Sequence, residues 1–424
     1  MDRARAAVTA VFFLNGLTLS TYIVRVPTMK AAFHLTDGQL GVLGVLFAVA
    51  ALAAMQAVGA LIARVGSRRV LRVSLGVMPV LLALIGWVHG FAALATVLTV
   101  LGAVHGTTDA AMNAHAVAAE RRAGRPILNG CHGAWSVSAV LAALVTAGLA
   151  HLDVSLTVHL TGAALVLLAG GLALGPALLS EPVAPRAQRD RVHWRTGWSR
   201  TIVALGLTGT ALMVCEGAAL GWGSVFLHDI RGASLSLAAG AVIAYTGGQT
   251  AGRLVGDRLT SRYGRQPVFR AGGLVATAGL AIAVAAPSPT TAVAGFLVAG
   301  LGNSVLIPLT FSAVGQVSGQ ETAAVVARFT TFTYAGILFG PALISAAAEV
   351  VGLMWTLAAL VPLLGLVATL TRLPGQPAVR GMRPGGGSRT LSSTGRDEQR
   401  RLPVGGRHGI PATHDAAGRC GDLG

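Results

Sequence analysis

Apolar residues run through this chain in long blocks, separated by short clusters of arginine, glycine and proline. A helix that crosses the hydrocarbon core of a bilayer needs about 17–25 predominantly apolar residues. Read with that window, the chain predicts twelve such helices, at residues 7–26, 38–62, 70–88, 91–118, 130–150, 154–179, 200–227, 235–256, 268–286, 291–316, 323–348 and 351–372. The first block runs too long for a cleaved signal peptide, lacks a small-residue cleavage site and is followed by eleven more. The polar positions between blocks are strongly one-sided. With the N-terminus inside, the outer connections hold only Arg25, Lys30 and Arg231 of the 32 basic residues. The positive-inside rule then predicts both termini in the cytoplasm.

Two polar stretches divide the chain. Residues 181–199 (EPVAPRAQRDRVHWRTGWS) follow the sixth block and predict a cytoplasmic linker between an N-terminal six-helix bundle, 1–180, and a C-terminal one, 200–373. Residues 374–424 are rich in Gly, Arg, Ser and Pro without an aliphatic pattern, which predicts a disordered cytoplasmic tail. The expected fold class is therefore an all-α membrane protein of two six-helix bundles.

Composition agrees. The chain is 53% hydrophobic and only 11% charged, with mean hydropathy +0.68, whereas soluble domains carry about 25% charged residues. Its 56 glycines suit close helix–helix approach in lipid. The net charge of +16 is spread between apolar blocks rather than along one face, so it gives no nucleic-acid footprint. Cys131, Cys215 and Cys420 are too few and scattered for a disulfide framework or a metal cluster. No G-x-x-x-x-G-K-[ST] motif occurs, which argues against a nucleotide-driven pump, and no nucleophile–base pair suggests an enzyme. Neither a cofactor nor a metal is expected.

A weak internal repeat supports the division. GALIARVGSRR (59–69) lies between the second and third blocks, and GRLVGDRLTSRYGR (252–265) lies at the equivalent place between the eighth and ninth. Two six-helix halves with such Gly-x-x-x-Asp-Arg-x-Gly-Arg-like stretches resemble the major facilitator superfamily over residues 5–373. The resemblance implies a conformational latch at Gly252, Asp257, Arg258 and Arg265. In the first copy Arg64 is retained, but Ala63 stands where the acid belongs. FFLNGLTLSTYIVRVP (12–27), DAAMNAHAVAAERRAGRPILNGCHG (109–133) and EGAALGWGSVFL (216–227) further resemble a bacterial inner-membrane permease branch related to fucose-permease-type sugar–proton symporters. The chain departs from that branch at Gly221, where an acid is common, and it lacks an acid in the first block.

The candidate chemistry lies inside the fourth block, in GTTDAAMNAH (106–115). A carboxylate at the bilayer centre costs about 2.5–3.5 kcal/mol on insertion scales, so such residues are usually functional. Asp109 precedes Glu120, at the inner end of that helix, by eleven residues, roughly 16 Å at 1.5 Å per residue. That depth is where transporter substrate and ion sites lie. His105, Asp109 and Asn113 recur every four residues and share one helix face, whereas His115 does not. Asp109 is the expected proton-coupling carboxylate, with His105 tuning it and Glu216 as a second intramembrane acid. The competing structural reading pairs Asp109 with Arg25 or with backbone.

Asn15, Asn113, Trp135, Trp222, Tyr245, Gln249 and Asn303 are candidate substrate contacts; for each polar one the bland alternative is an interhelical hydrogen bond. Trp222 could stack on a ligand or sit in an interfacial belt. Arg25 precedes the helix-stopping Pro27 and either meets an anion or snorkels to the interface. The expected function is proton-driven secondary transport of a small polar solute, sugar-like or organic acid, across a bacterial cytoplasmic membrane, with a monomer sufficing. Antiporters of the superfamily it resembles usually carry a Gly-Pro motif in the fifth block and an arginine within the fourth; the absence of both here implies symport rather than drug or metabolite efflux by antiport. A non-transporting sensor is the remote alternative.

Overall fold

A computed structural model describes residues 3–179, 198–317 and 322–374. The linker and tail expected at 181–199 and 374–424 lie almost wholly outside the described residues. The described chain is a succession of helices: α1 Arg3–Val24, α2 Val26–Ala32, α3 Asp37–Val65, α4 Ser67–Ile85, α5 Phe91–Ala123, α6 Leu128–His151 and α7 Leu156–Leu174, then α8 Arg200–Val225, α9 Leu235–Tyr263, α10 Arg265–Ala285, α11 Pro289–Asn303, α12 Leu306–Val317, α13 Thr322–Val351 and α14 Leu353–Leu370.

Local sequence explains the boundaries. Thr36 and Gln39 form a reciprocal capping box at the start of α3. Ser155, Ser199, Ser234 and Ser288 cap α7, α8, α9 and α11, each accepting from the backbone N–H three residues on. Gly66 and Gly264, at φ 83° and 85°, make the tight turns after α3 and α9. The two copies of the internal repeat thus end in one backbone conformation, in the left-handed region that glycine tolerates. Pro27 sits in the first turn of α2, where its missing N–H costs nothing.

Ten helical stretches among the described residues are long and apolar enough to cross a membrane. The tenth predicted block is one of them, at Pro289–Val317, but it is broken between α11 and α12. Pro308, just inside α12, has no N–H to donate back to Ser304 and its ring crowds that carbonyl. Two helices matching predicted blocks fall short on composition. In α4, Arg68, Arg69 and Arg72 crowd the first turns, and α9 carries Arg253, Asp257, Arg258 and Arg262 toward its end.

Residues 1–376 form one compact unit. Because lipid is as apolar as leucine, its helices hold together by close packing rather than by hydrophobicity. Small residues therefore line the contacts. Phe47 and Ala51 of α3 press on Gly102 and Gly106 of α5; a Cβ on Gly106 would lie 2.8 Å from the Ala51 Cα. At the α10–α11 contact, a Cβ on Gly295 would lie 2.7 Å from the Ala283 Cα and one on Gly302 2.8 Å from the Ala276 Cα.

This packing predicts an asymmetry between glycines. Gly106→Val should cost about 1–3 kcal/mol of stability through overpacking and lower the melting temperature of the detergent-purified protein by several degrees. Gly76→Val, whose side chain would meet open space, should leave it nearly unchanged; equal melts for both would contradict the packing account.

Candidate functional site

The polar groups between the N-terminal helices α1–α7 and the C-terminal helices α8–α14 form three layers. The first lies at the arginine-rich end and centres on the start of α6. Four consecutive backbone N–H groups there need acceptors, because a helix start leaves its first amides without intrahelical partners. Glu120, at the end of α5, accepts from Ile127 at 3.0 Å and Leu128 at 3.4 Å. Asp257, on α9, accepts from Asn129 and Gly130 at 3.0 Å each. Negative charge at a helix N-terminus is also favoured by the helix dipole.

Both carboxylates reach further. Asp257 lies 3.6 Å from Arg5 of α1. Glu120 accepts from Ser312 of α12 and stands 3.8 Å from Arg265 of α10. Gly256 has no side chain to hold α6 away; a Cβ there would fall 2.6 Å from the Asn129 Cγ. Nearby, Arg121 donates to Thr322 at 2.7 Å, Arg328 to Gln56 at 2.6 Å and Gln56 to Thr331 at 2.8 Å. These bonds tie α3, α5 and α6 to α9, α10, α12 and α13 at one end of the bundle.

The second layer is a chain of hydrogen bonds at mid-helix. The Trp135 indole N–H of α6 donates to the Asn15 Oδ1 of α1 at 3.2 Å. Because an indole only donates, this fixes the Asn15 amide and turns its NH₂ toward the His105 Nδ1 of α5, 3.5 Å away. The His105 Nε2 is then the protonated nitrogen and donates to the Tyr334 hydroxyl of α13 at 2.8 Å. Tyr334 keeps its own O–H for another acceptor, and Asp109 is close enough to act on it electrostatically. The Asp109 carboxylate is half-buried and has neither an ion pair nor a hydrogen bond among the described residues. Asn113, on the same face, donates to the Asp109 backbone carbonyl at 2.9 Å, and its Oδ1 is buried without a donor.

The third layer joins α8, α9 and α11. Asn303 donates to Glu216 at 3.0 Å. Tyr245 and Arg253, both buried on α9, act electrostatically on each other, and Glu216 acts on both. Arg253 also donates to Ser136 of α6 at 2.6 Å, so this layer too crosses between the two sets of helices. Gln249 lies between Tyr245 and Arg253 on the same face of α9 and is buried.

The expected site residues therefore separate into groups. His105, Asn15, Trp135, Asp109 and Asn113 come together in the second layer, with Asn15 fully buried and its amide committed to helix–helix bonding. Glu216, Asn303, Tyr245 and Gln249 come together in the third. Trp222 is half-buried against the apolar core. Of the latch residues, Asp257 and Arg265 are buried in the first layer, Gly252 packs against Leu301 and Ser304, and Arg258 and Arg64 are exposed. Residues 59–64 and 252–258 of the internal repeat lie within α3 and α9. Arg25 neither meets an acid nor snorkels: it is 3% exposed and donates to the His159 Nδ1 of α7 at 2.9 Å. The pairing of Asp109 with Arg25 is thus not made.

Tyr334, Arg253, Ser136 and Arg328 were not singled out as site residues from the sequence. Tyr334 carried only a weak signal, a hydroxyl within an apolar block. Arg253 carried a stronger one, a cation inside the eighth block rather than beyond it.

With the geometry in place, comparison with known proteins gives the family. The family model of the Major Facilitator Superfamily matches residues 8–244 and 218–403. An MFS-type transporter of Yersinia pestis is 32% identical over 361 residues, covering 85% of this chain and 93% of that protein. A transporter of Sinorhizobium fredii is 32% identical over 343 residues, covering 81% and 90%. Among solved structures, the outward conformation of FucP, the Escherichia coli fucose:proton symporter, aligns with TM-score 0.72 at 16% identity, covering 86% of this chain and 98% of that one. At that identity the likeness speaks for the fold alone. The helical architecture and the matches together identify the chain as a multi-pass membrane protein of the major facilitator superfamily of transporters.

Proposed function

We propose that the protein is a proton-coupled secondary transporter, a symporter of a small polar solute in a bacterial cytoplasmic membrane. Asp109 is its proton carrier. The observation that carries this reading is the state of Asp109: a half-buried carboxylate at mid-helix with no partner, beside a bonded chain that runs from Trp135 through Asn15 and His105 to Tyr334. A carboxylate kept only for structure would be paired. One kept for proton exchange needs access to solvent and a neighbour that responds to its charge, and Tyr334 of α13 is such a neighbour. Protonation of Asp109 then alters a contact between the two six-helix halves, residues 1–180 and 200–373, which is how the proton biases alternating access.

The arginine-rich end faces the cytoplasm in this reading, supported by the positive-inside count. In this reading the conformation is outward-facing, because Glu120 and Asp257 close the inner end on the start of α6. Opening inward requires Asp257 to release the Asn129 and Gly130 amides.

Two measurements test this. In proteoliposomes, an imposed pH gradient should drive accumulation of at least one member of a panel of labelled sugars, sugar acids, hydroxy acids and amino acids. Asp109→Asn should reduce that accumulation about tenfold or more, a coupling of ordinary allosteric size, while exchange of the same solute without a gradient persists. No accumulation, or accumulation indifferent to Asp109→Asn, contradicts the reading. For the inner closure, a cysteine at the fully buried Val314, in a chain otherwise lacking cysteine, reports opening through its rate of modification by a membrane-permeant maleimide. Asp257→Ala removes charge-assisted bonds worth about 1.5–3 kcal/mol each and should raise that rate on the order of tenfold or more. An unchanged rate would mean that Asp257 does not hold the end closed.

A further inference from the structure

Arg253 is 7% exposed inside α9, and an arginine so buried is almost always paired. Here no carboxylate among the described residues lies within ion-pair distance of it. Its Nη1 donates to the Ser136 hydroxyl at 2.6 Å, and its Nε–H is buried with no acceptor. Glu216 acts on it only at longer range, with one carboxylate oxygen already taking the Asn303 amide at 3.0 Å.

The surroundings repeat the deficit. Gln249, one helical turn before Arg253 on the same face of α9, is 5% exposed, and its Nε2 has no acceptor. On α6, His132 lies near enough for Arg253 to act on it, and its Nε2 is buried without a partner. Ser136 is one turn further along α6. A cation and an amide donor at one α6–α9 contact are thus short of acceptors, beside an imidazole nitrogen that is free as well. Each buried donor left unmade costs about 1–3 kcal/mol, more for a charged group. Native structures retain such groups where something else satisfies them.

We propose that Arg253 and Gln249 bind the carboxylate of the transported solute, which makes the substrates organic acids rather than neutral sugars. This rests on the transporter reading and narrows its substrate class. A carboxylate is planar, accepts only, and matches the fork of a guanidinium with two parallel hydrogen bonds. It supplies the missing acceptor to the Arg253 Nε–H, places its second oxygen within reach of the guanidinium edge or the Gln249 NH₂, and neutralises the buried cation. A neutral hydroxyl or amide of the same size does none of the last. Glu216, one oxygen of which takes the Asn303 amide, stays outside ion-pair distance and leaves the cation to be paired by the solute.

The test is equilibrium binding to the purified full-length protein, so it does not depend on proton coupling. Melting temperature is followed against sodium acetate and sodium lactate, with acetamide and lactamide as neutral counterparts and sodium chloride at matched ionic strength. The carboxylates should give a saturable rise that the amides and chloride do not. Arg253→Gln should weaken that response on the order of tenfold or more, and Arg262→Gln, at an exposed position of the same helix, should leave it intact. Should Arg253→Gln fail to fold, Gln249→Leu keeps the cation and should still weaken the response several-fold. Equal responses to carboxylates and amides, or a carboxylate response surviving Arg253→Gln or Gln249→Leu, would overturn the proposal and leave water as the partner of these groups. Asp109→Asn protein should keep a saturable carboxylate response with a shifted midpoint, whereas Arg253→Gln removes the preference for carboxylate over amide, so loss of proton coupling and loss of the anion site are told apart.

Discussion

Away from water, every N–H, carbonyl and charge must find a partner within the protein, because the hydrocarbon offers none. The start of α6 shows what that constraint does here. Four successive amides, from Ile127 to Gly130, are satisfied by two carboxylates from opposite parts of the chain, Glu120 on α5 and Asp257 on α9. Neither set of helices completes this cap alone. The bundle is therefore closed at one end by the same bonds that make the end of a helix tolerable, and parting them exposes donors that only water or a rearranged side chain can satisfy. That gives the closed end a definite cost of opening without making it permanent.

The same rule, relaxed, shapes the middle of the molecule. Trp135, Asn15, His105 and Tyr334 satisfy one another across four helices. Asp109, half-buried with no partner, and Arg253, buried with a donor to spare, remain incompletely matched. They have opposite signs, lie on different helices, and each sits beside residues from the other set of helices. A carrier that moves a proton and an anion together needs such a pair of unfilled demands, one met by the proton and the other by the solute, so that both must be met before the charges can be hidden.

Local periodicity made part of this legible in the sequence. The helical blocks and the shared face of His105, Asp109 and Asn113 follow from spacing within a single segment. What could not be read was tertiary. Tyr334 meets His105 across 229 positions and Asp257 meets Asn129 across 128, separations on which a single helix carries no information. Nor does the sequence show what the glycines at 252 and 256 meet. In a bundle held by packing they let helices touch, and Gly256 does so against Asn129. Arg25 misled in the opposite sense: beside a helix-ending proline it looked like an interfacial cation, yet His159, 134 residues away, gives it a buried partner.

The central claim is that Asp109 exchanges a proton inside the bundle. Infrared difference spectroscopy of the reconstituted protein, cycled between acidic and alkaline buffer, observes that event in the carbonyl stretch of a protonated carboxylic acid. The account predicts a band that appears on acidification, vanishes reversibly, and is missing from Asp109→Asn protein. A spectrum without such a band, or one in which the band persists in Asp109→Asn, would contradict it.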